Sequence, residues 1–342
     1  MSNHQIFVEG VPQAFEASGR DPLLRSALRA GVGFPYECNA GSCGSCKFEL
    51  LDGTLDAPEE ITRGTSARDR QKNKYLACQV KPTGDCRIKV RTNESFVPLF
   101  APRAMRATLL ERIDHTGDLS EFRFKADGPA QFLGGQYALL SISGAFPADW
   151  RAYSMANLPN ESGEWHFFIK RVPGGSFTEP LFDSFRVGDA LQLDGPYGMA
   201  YARHDVDRPA MCIAGGSGFS PMLGIARSFA EQGTLRGHRL EFVYGCRGPL
   251  DQPDAGLVEV LRNQMGSLDY SVVVSDAEAA AAHGWSGSKG FLHEVLAERL
   301  GEDSASREYY LSGPPLMVDA VVRLLVLEKK VPVEQIHYDR FF

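Results

Sequence analysis

The chain has 342 residues, 43% apolar and 23% charged, with a net charge of −7. That length exceeds one compact core and suits two or three domains; the negative balance argues against a nucleic-acid partner, which asks for a basic face. The polar start Met1-Ser2-Asn3-His4-Gln5 leads into no apolar segment, and no stretch nears the ~18 apolar residues of a membrane span, so neither a secretory signal nor a membrane helix is expected, and the cytoplasm is.

Residues 1–95 read as a small β-rich unit around one helix. Ile6-Phe7-Val8 is a strand and Ala14-Phe15-Glu16-Ala17 its hairpin partner. Asp21-Pro22 opens the helix, with Asp as N-cap and Pro in the first turn, where its missing N–H costs nothing. Leu23, Leu24, Ala27 and Leu28 give the apolar stripe, and Gly31 and Gly33 end it. Phe48 to Leu55 is a strand entering a turn, and Arg87 to Arg91 alternates with period two as a half-buried strand.

Inside this unit Cys38, Cys43 and Cys46 stand in C-x4-C-x2-C spacing, with Cys78 as a distant fourth. This is the plant-type [2Fe–2S] pattern. Gly41 and Gly44 suit it, because a loop wrapping several inward thiolates needs close approach, positive φ and N–H groups on the sulfurs. Structural zinc prefers two C-x2-C knuckles, and only one is present. Cys86, Cys212 and Cys246 lack ligand spacing and read as small buried hydrophobes. The odd total of seven disfavours a disulfide framework. Arg63, Arg68, Arg70, Lys72 and Lys74 precede Cys78; they read first as a solvated helix face, with a docking patch for an acidic partner as the alternative.

Pro98 and Pro102 bracket a linker over 96–102. Residues 103–205 then show short strands with turn signals and no long helix, the pattern of an antiparallel barrel. Within it, Arg151, Tyr153 and Ser154 alternate along a strand. A flavin needs a cation for phosphate, an aromatic wall and a hydroxyl near its reactive part, and these three supply them from one edge. Alone the tetrapeptide reads better as an ordinary amphipathic strand. Phe168 to Thr178 adds a strand, a Pro173-Gly174-Gly175 turn and a helix start, an anion site for a pyrophosphate, with Thr178 placed to cap.

From 206 to 342 buried strands alternate with helices, as in a doubly wound parallel sheet: 210–214, 240–244, 270–274 and 309–311. Gly215-Gly216-Ser217-Gly218-Phe219-Ser220-Pro221 follows the first strand and opens a helix. Such glycines let backbone approach nucleotide phosphates. The register is not G-x-G-x-x-G, and a tight structural turn is the alternative. Tyr244-Gly245-Cys246-Arg247 and Ser312-Gly313-Pro314-Pro315 sit at carboxyl ends of strands, where ligands bind in open α/β sheets.

Taken in order, these motifs resemble the ferredoxin–NADP⁺ reductase superfamily with a fused N-terminal ferredoxin, and more narrowly the reductases of bacterial multicomponent oxygenases. Phe34-Pro35-Tyr36-Glu37-Cys38-Asn39, Tyr75-Leu76-Ala77-Cys78-Gln79 and Ile336-His337-Tyr338-Asp339-Arg340-Phe341-Phe342 most resemble the toluene monooxygenase branch. The resemblance implies a β-grasp ferredoxin (1–95), an antiparallel flavin barrel (103–205) and an α/β nucleotide domain (206–342). It implies FAD held by Arg151, Tyr153 and Ser154, with Ile169, Lys170, Gly175 and Thr178 along its pyrophosphate arm. It implies NADH phosphates on Gly215, Gly216, Ser217, Gly218 and Pro221, an adenosine contact from Arg247, and Gly313 and Pro314 bordering the nicotinamide. Phe341 and Phe342 would flank the flavin ring, and Ser154, Ser312 and Phe342 would lie nearest the reacting atoms. Many relatives have Cys where this chain has Ser312, a departure that bears on rate. NADH is favoured because no second cation near Arg247 reinforces a 2′-phosphate site.

The implied activity is NADH-dependent electron transfer through FAD and a [2Fe–2S] cluster to a Rieske-type ferredoxin or hydroxylase of an aromatic mono-oxygenase, by a monomer. Three rival readings stay open: the reductase of a ring-hydroxylating dioxygenase, a flavin reductase acting directly on small acceptors, and a zinc-stabilised adaptor with a regulatory nucleotide.

Overall fold

A computed structural model describes residues 3–144, 149–233, 235, 237–265 and 267–342. Contacts divide the chain into two compact units. One is Met1–Met105 with Ala138–Ala152 and Gln192–Gly198; the other is Arg106–Tyr137 with Tyr153–Leu191 and Met199–Phe342.

The first unit opens with β1 (Asn3–Val8), β2 (Phe15–Ser18), α1 (Leu23–Arg29), β3 (Lys47–Asp52), β4 (Leu55–Asp56), α2 (Ala67–Gln71), β5 (Lys74–Leu76), β6 (Lys81–Pro82) and β7 (Cys86–Lys89). A five-stranded sheet runs β2-β1-β7-β3-β5, with β4 paired to β6. The hairpin sets Ile6 opposite Phe15, while β1 and β7 run parallel with Ile6 beside Cys86. Period-two burial puts Ile6, Val8, Phe15, Ala17 and Ile88 in a core with Leu23, Leu24, Ala27 and Leu28. Each valine, leucine, isoleucine and phenylalanine among them contributes about 1.5–3 kcal/mol on burial.

The start of α1 departs from expectation. Asp21 does not cap it: Pro22 is the N-cap residue and no side chain bonds the first turn. The reason is tertiary. Leu23 N–H donates to Val80 O and Leu24 N–H to Ala77 O, both at 2.9 Å, so these helix donors are already paired. The Asp21 carboxylate accepts from Arg29 instead.

The barrel sheet comprises β8 (Arg103–Asp114), β9 (Leu119–Ala126), β10 (Tyr137–Ser141), β11 (Arg151–Ser154), β12 (Glu164–Lys170) and β13 (Ala190–Tyr197), in the order β11-β10-β13-β8-β9-β12. Antiparallel β9 and β12 face Phe122 to Phe167 and Phe124 to Trp165. The helix expected after Gly175 is the short α3 (Thr178–Asp183).

The second unit ends in β14 (Ala210–Gly215), α4 (Phe219–Gln232), β15 (Leu240–Cys246), α5 (Ala255–Met265), β16 (Leu268–Val274), α6 (Ala277–Ala282), β17 (Ser288–Lys289), α7 (Leu292–Arg299), β18 (Glu308–Gly313), α8 (Pro315–Arg323) and β19 (Ile336–Arg340). The strands are all parallel, in the order β17-β16-β15-β14-β18-β19. Apolar cores cover both faces. Cys212, Ala214 and Phe242 join Phe219 and Tyr310 on one face; Met211, Ile213 and Val243 join Leu311 and Leu325 on the other. The chain leaves β14 toward β15 and returns at β18 on β14's other side, so the order reverses there. Sheets of this kind bind ligands at the carboxyl ends of such a pair. Among the described residues, no helix is long and apolar enough to cross a membrane.

Candidate functional site: a cysteine loop and a convergent glycine turn

In the first unit, the four predicted cysteines come together. Cys46 and Cys78 are almost fully buried with their sulfurs 3.4 Å apart, while Cys38 and Cys43 are half-buried. Backbone N–H groups point at sulfur: Ala40 and Cys43 donate to Cys38 Sγ and Ser45 to Cys43 Sγ, each at 3.4 Å, and Gln79 Nε2 reaches Cys78 Sγ at 3.6 Å. Gly41 and Gly44 take φ of 81° and 84°, and a Cβ on Gly41 would lie 2.9 Å from the Gln79 side chain.

In each close pair one thiol is held low. A hydrogen bond from the Cys38 thiol pulls Cys43 down to about 5, and one from the Cys46 thiol lowers Cys78. Their partners are pushed up by the same sharing. Low-lying sulfurs are the thiolate form that iron binds. Asn39, directly after Cys38, is 3% exposed, and neither polar atom of its amide has a partner among the described residues. Buried thiols, N–H groups on sulfur and an orphaned amide fit a bound anionic cluster. Cys86, Cys212 and Cys246 are buried apart from this set.

The second unit gathers the remaining motifs. On β11, the Tyr153 ring lies 5.4 Å from Phe177 at 32°, and Ser154 is buried. The Ser220 hydroxyl, in the first turn of α4, donates to Ser154 O at 2.7 Å and accepts from Phe168 N–H at 3.3 Å. It thus ties the glycine turn to two barrel strands. In the sequence Ser220 stands out only as a hydroxyl beside glycines at a helix start. A bond from Phe341 N–H to Gly313 O at 2.9 Å brings the last residues beside Ser312 and Pro314. Phe342 remains half exposed. Ser312 is fully buried, and its hydroxyl has no partner among the described residues.

Several assigned residues act otherwise than expected. Thr178 does not cap α3; its hydroxyl clasps Val172, accepting from N–H at 3.1 Å and donating to O at 3.2 Å. Gly175 packs inside that clasp, where a Cβ would lie 2.5 Å from Thr178 Oγ1, whereas Gly174, at φ 71°, faces open space. Ile169 is wholly buried and offers no surface. Lys170 pairs with Asp118 at 2.9 Å across a partly exposed contact, an interaction weak enough to exchange.

The phosphate turn also divides. A Cβ on Gly218 would lie 2.1 Å from Ser312 O, and one on Gly215 2.4 Å from Met317 Sδ, so both glycines serve packing. Gly216, at φ 55° with nothing within 4 Å, is the one open to a ligand, and Ser217 beside it is half-buried. Pro221 is buried in α4 and Arg247 is exposed beyond β15. Arg151 is half-buried and donates to Trp150 O. In the basic run, Arg63, Arg68 and Lys72 are exposed, while Arg70 is drawn inward to Pro58 O and the Tyr75 ring.

Comparison with known proteins finds three family matches along the chain. Residues 6–83 match the 2Fe-2S iron-sulfur cluster binding domain, 106–201 the oxidoreductase FAD-binding domain and 212–323 the oxidoreductase NAD-binding domain. The ferredoxin–NAD(P)⁺ reductase CarAd of Metapseudomonas resinovorans is 41% identical across 99% of this chain and 100% of its own length. The ferredoxin–NAD⁺ reductase component of an alkene monooxygenase system from Xanthobacter autotrophicus is 33% identical across 96% and 98%. A solved structure, the ferredoxin reductase in carbazole 1,9a-dioxygenase, superposes with a TM-score of 0.92 at 38% identity, covering 99% of each chain. The chain belongs to the ferredoxin–NAD(P)⁺ reductases of oxygenase systems, oxidoreductases that join a [2Fe–2S] domain to FAD- and NAD-binding domains.

Proposed function

We propose that this reductase takes electrons from NADH and delivers them singly to a Rieske-type ferredoxin or to the hydroxylase of a multicomponent oxygenase, working as a cytoplasmic monomer. The observation that carries this is the convergence in the second unit: the end of β11, the glycine turn after β14, the end of β18 and the C-terminus meet through Ser220, Gly218 and Phe341. FAD, when bound, would supply hydride acceptance from NADH and one-electron delivery to the cluster, chemistry that belongs to the cofactors.

The chain holds and orients those groups. Cys38, Cys43, Cys46 and Cys78 ligate the cluster. Arg151 faces flavin phosphate, and Tyr153 and Ser154 line the ring, with the Gly174-Gly175 turn and Lys170 along the pyrophosphate. Gly216 and Ser217 present the turn to nucleotide phosphate. Ser312 backs Gly313 and Pro314 at the nicotinamide, wholly buried with its hydroxyl unpaired among the described residues, an orphaned O–H that costs about 1–3 kcal/mol. Phe341 and Phe342 cover the ring. The working domains are 1–95, 103–205 and 206–342, joined by the 96–102 linker.

Cys43→Ser should abolish reduction of an oxygenase-side protein acceptor while NADH-to-ferricyanide turnover at the flavin persists. Equal loss of both would contradict the order of the two centres. The mono-oxygenase partner expected from the resemblance has a competitor: the solved structure named as the ferredoxin reductase in carbazole 1,9a-dioxygenase supports a ring-hydroxylating dioxygenase. Turnover with purified components of each class decides between them.

A further inference from the structure

Within the first unit, α1 of the ferredoxin domain carries two arginines onto one barrel carboxylate. Asp194, on β13, is 1% exposed. It accepts from Arg29 Nη2 at 2.7 Å through both oxygens and from Arg25 Nη1 at 3.3 Å. The Tyr197 hydroxyl donates to it at 2.9 Å, and Arg29 also reaches Asp21 at 3.0 Å. The Arg25 guanidinium lies 4.5 Å from the Trp150 ring centroid, and Trp150 is the neighbour of Arg151. A second link starts two residues before Cys38: the Tyr36 hydroxyl accepts from Gly198 N–H at 3.0 Å, and its ring meets that of Tyr197 edge-on at 6.3 Å.

Buried ionic groups are a poor way to gain stability, because desolvation cancels much of their attraction and apolar replacements do as well or better. What such a group does give is one allowed geometry, since any other placement strands a charge. Burial, then the neighbouring Asp194 carboxylate, push the Tyr197 phenol well above its ordinary value, so it stays a donor to that carboxylate.

We propose that Asp194 and Tyr36 are positioning residues for internal electron transfer. Asp194 seats α1 on β13, and Tyr36 ties the cluster loop to Gly198 just after that strand, so within the first unit the cluster loop holds one position against β13. The transfer it serves moves one electron at a time and makes or breaks no bond. This rests on the electron route proposed above.

The test uses the whole chain, with Asp194→Asn, Asp194→Glu and Tyr36→Phe. Amide exchange, measured with and without cofactors, reports the grip. Stopped-flow reduction by NADH separates flavin bleaching from cluster bleaching. Asp194→Asn should speed exchange in α1 and at Gly198 and slow cluster reduction by ~tenfold or more, with flavin reduction unchanged, because small misplacements of reacting centres carry large rate losses. Asp194→Glu should recover most of the rate. Tyr36→Phe should affect Gly198 exchange and cluster reduction alone, and it carries the test should Asp194→Asn fail to fold. Cluster reduction within about twofold of wild type, in a variant whose exchange shows the grip lost, overturns the proposal. A wild-type cluster that never bleaches overturns the route itself, not the clamp.

Discussion

The cysteine loop and the glycine turn are both short, glycine-bearing segments, yet they are built on opposite plans. In the loop, three of the four gathered cysteines belong to nine consecutive residues, and the glycines bend backbone around them. In the turn, two of three glycines make room for protein: Gly218 for the carbonyl of Ser312 and Gly215 for Met317. The ligand-facing surface is then assembled from strand ends far apart in sequence. A site whose ligands are side chains of one loop is local; a site made of converging backbone is tertiary.

Substitutions at these glycines separate the two plans. Gly218→Ala should have the largest effect, destabilising the nucleotide domain by ~2–3 kcal/mol because the Ser312 carbonyl cannot retreat from a packed sheet; thermal unfolding reads it, and a melting point equal to wild type would remove the packing role. Gly41→Ala comes next, at about 1–2 kcal/mol of left-handed strain, with iron and sulfide content falling while bound flavin holds. If metal content stayed full, close approach at Gly41 would not matter.

Gly216→Ala should cost only about 1 kcal/mol of stability but raise the KM for NADH; a change confined to melting would place the phosphate elsewhere. The smallest effect has an informative sign. Ser312→Ala removes an unpaired buried hydroxyl, so the cofactor-free protein should gain about 1 kcal/mol while NADH oxidation slows. Stability and rate falling together would mean the hydroxyl has a structural partner.

What could be read in the sequence follows the same line. The gathering of Cys38, Cys43 and Cys46 was legible because their spacing is a property of neighbouring residues, with Cys78 readable only as a distant fourth, and the α/β strands because buried parallel strands are apolar throughout. The role of Gly218 was not, since a carbonyl almost a hundred residues away decides it. The N-cap of α1 misled for a similar reason: Asp21-Pro22 is a sound local signal, but residues 77–80 supply the acceptors. Asp194 carried one faint mark, an acid among the apolar alternation of Leu191, Leu193 and Tyr197.

The short stretch from Ala77 to Val80 does three things at once. Its carbonyls receive Leu23 and Leu24, Ala77 N–H is bonded to Cys46 O at 3.0 Å, and between them sits Cys78. The backbone on either side of Cys78 is therefore pinned by the polypeptide's own hydrogen bonds. Loosening α1 would thus shift a sulfur that α1 itself does not carry.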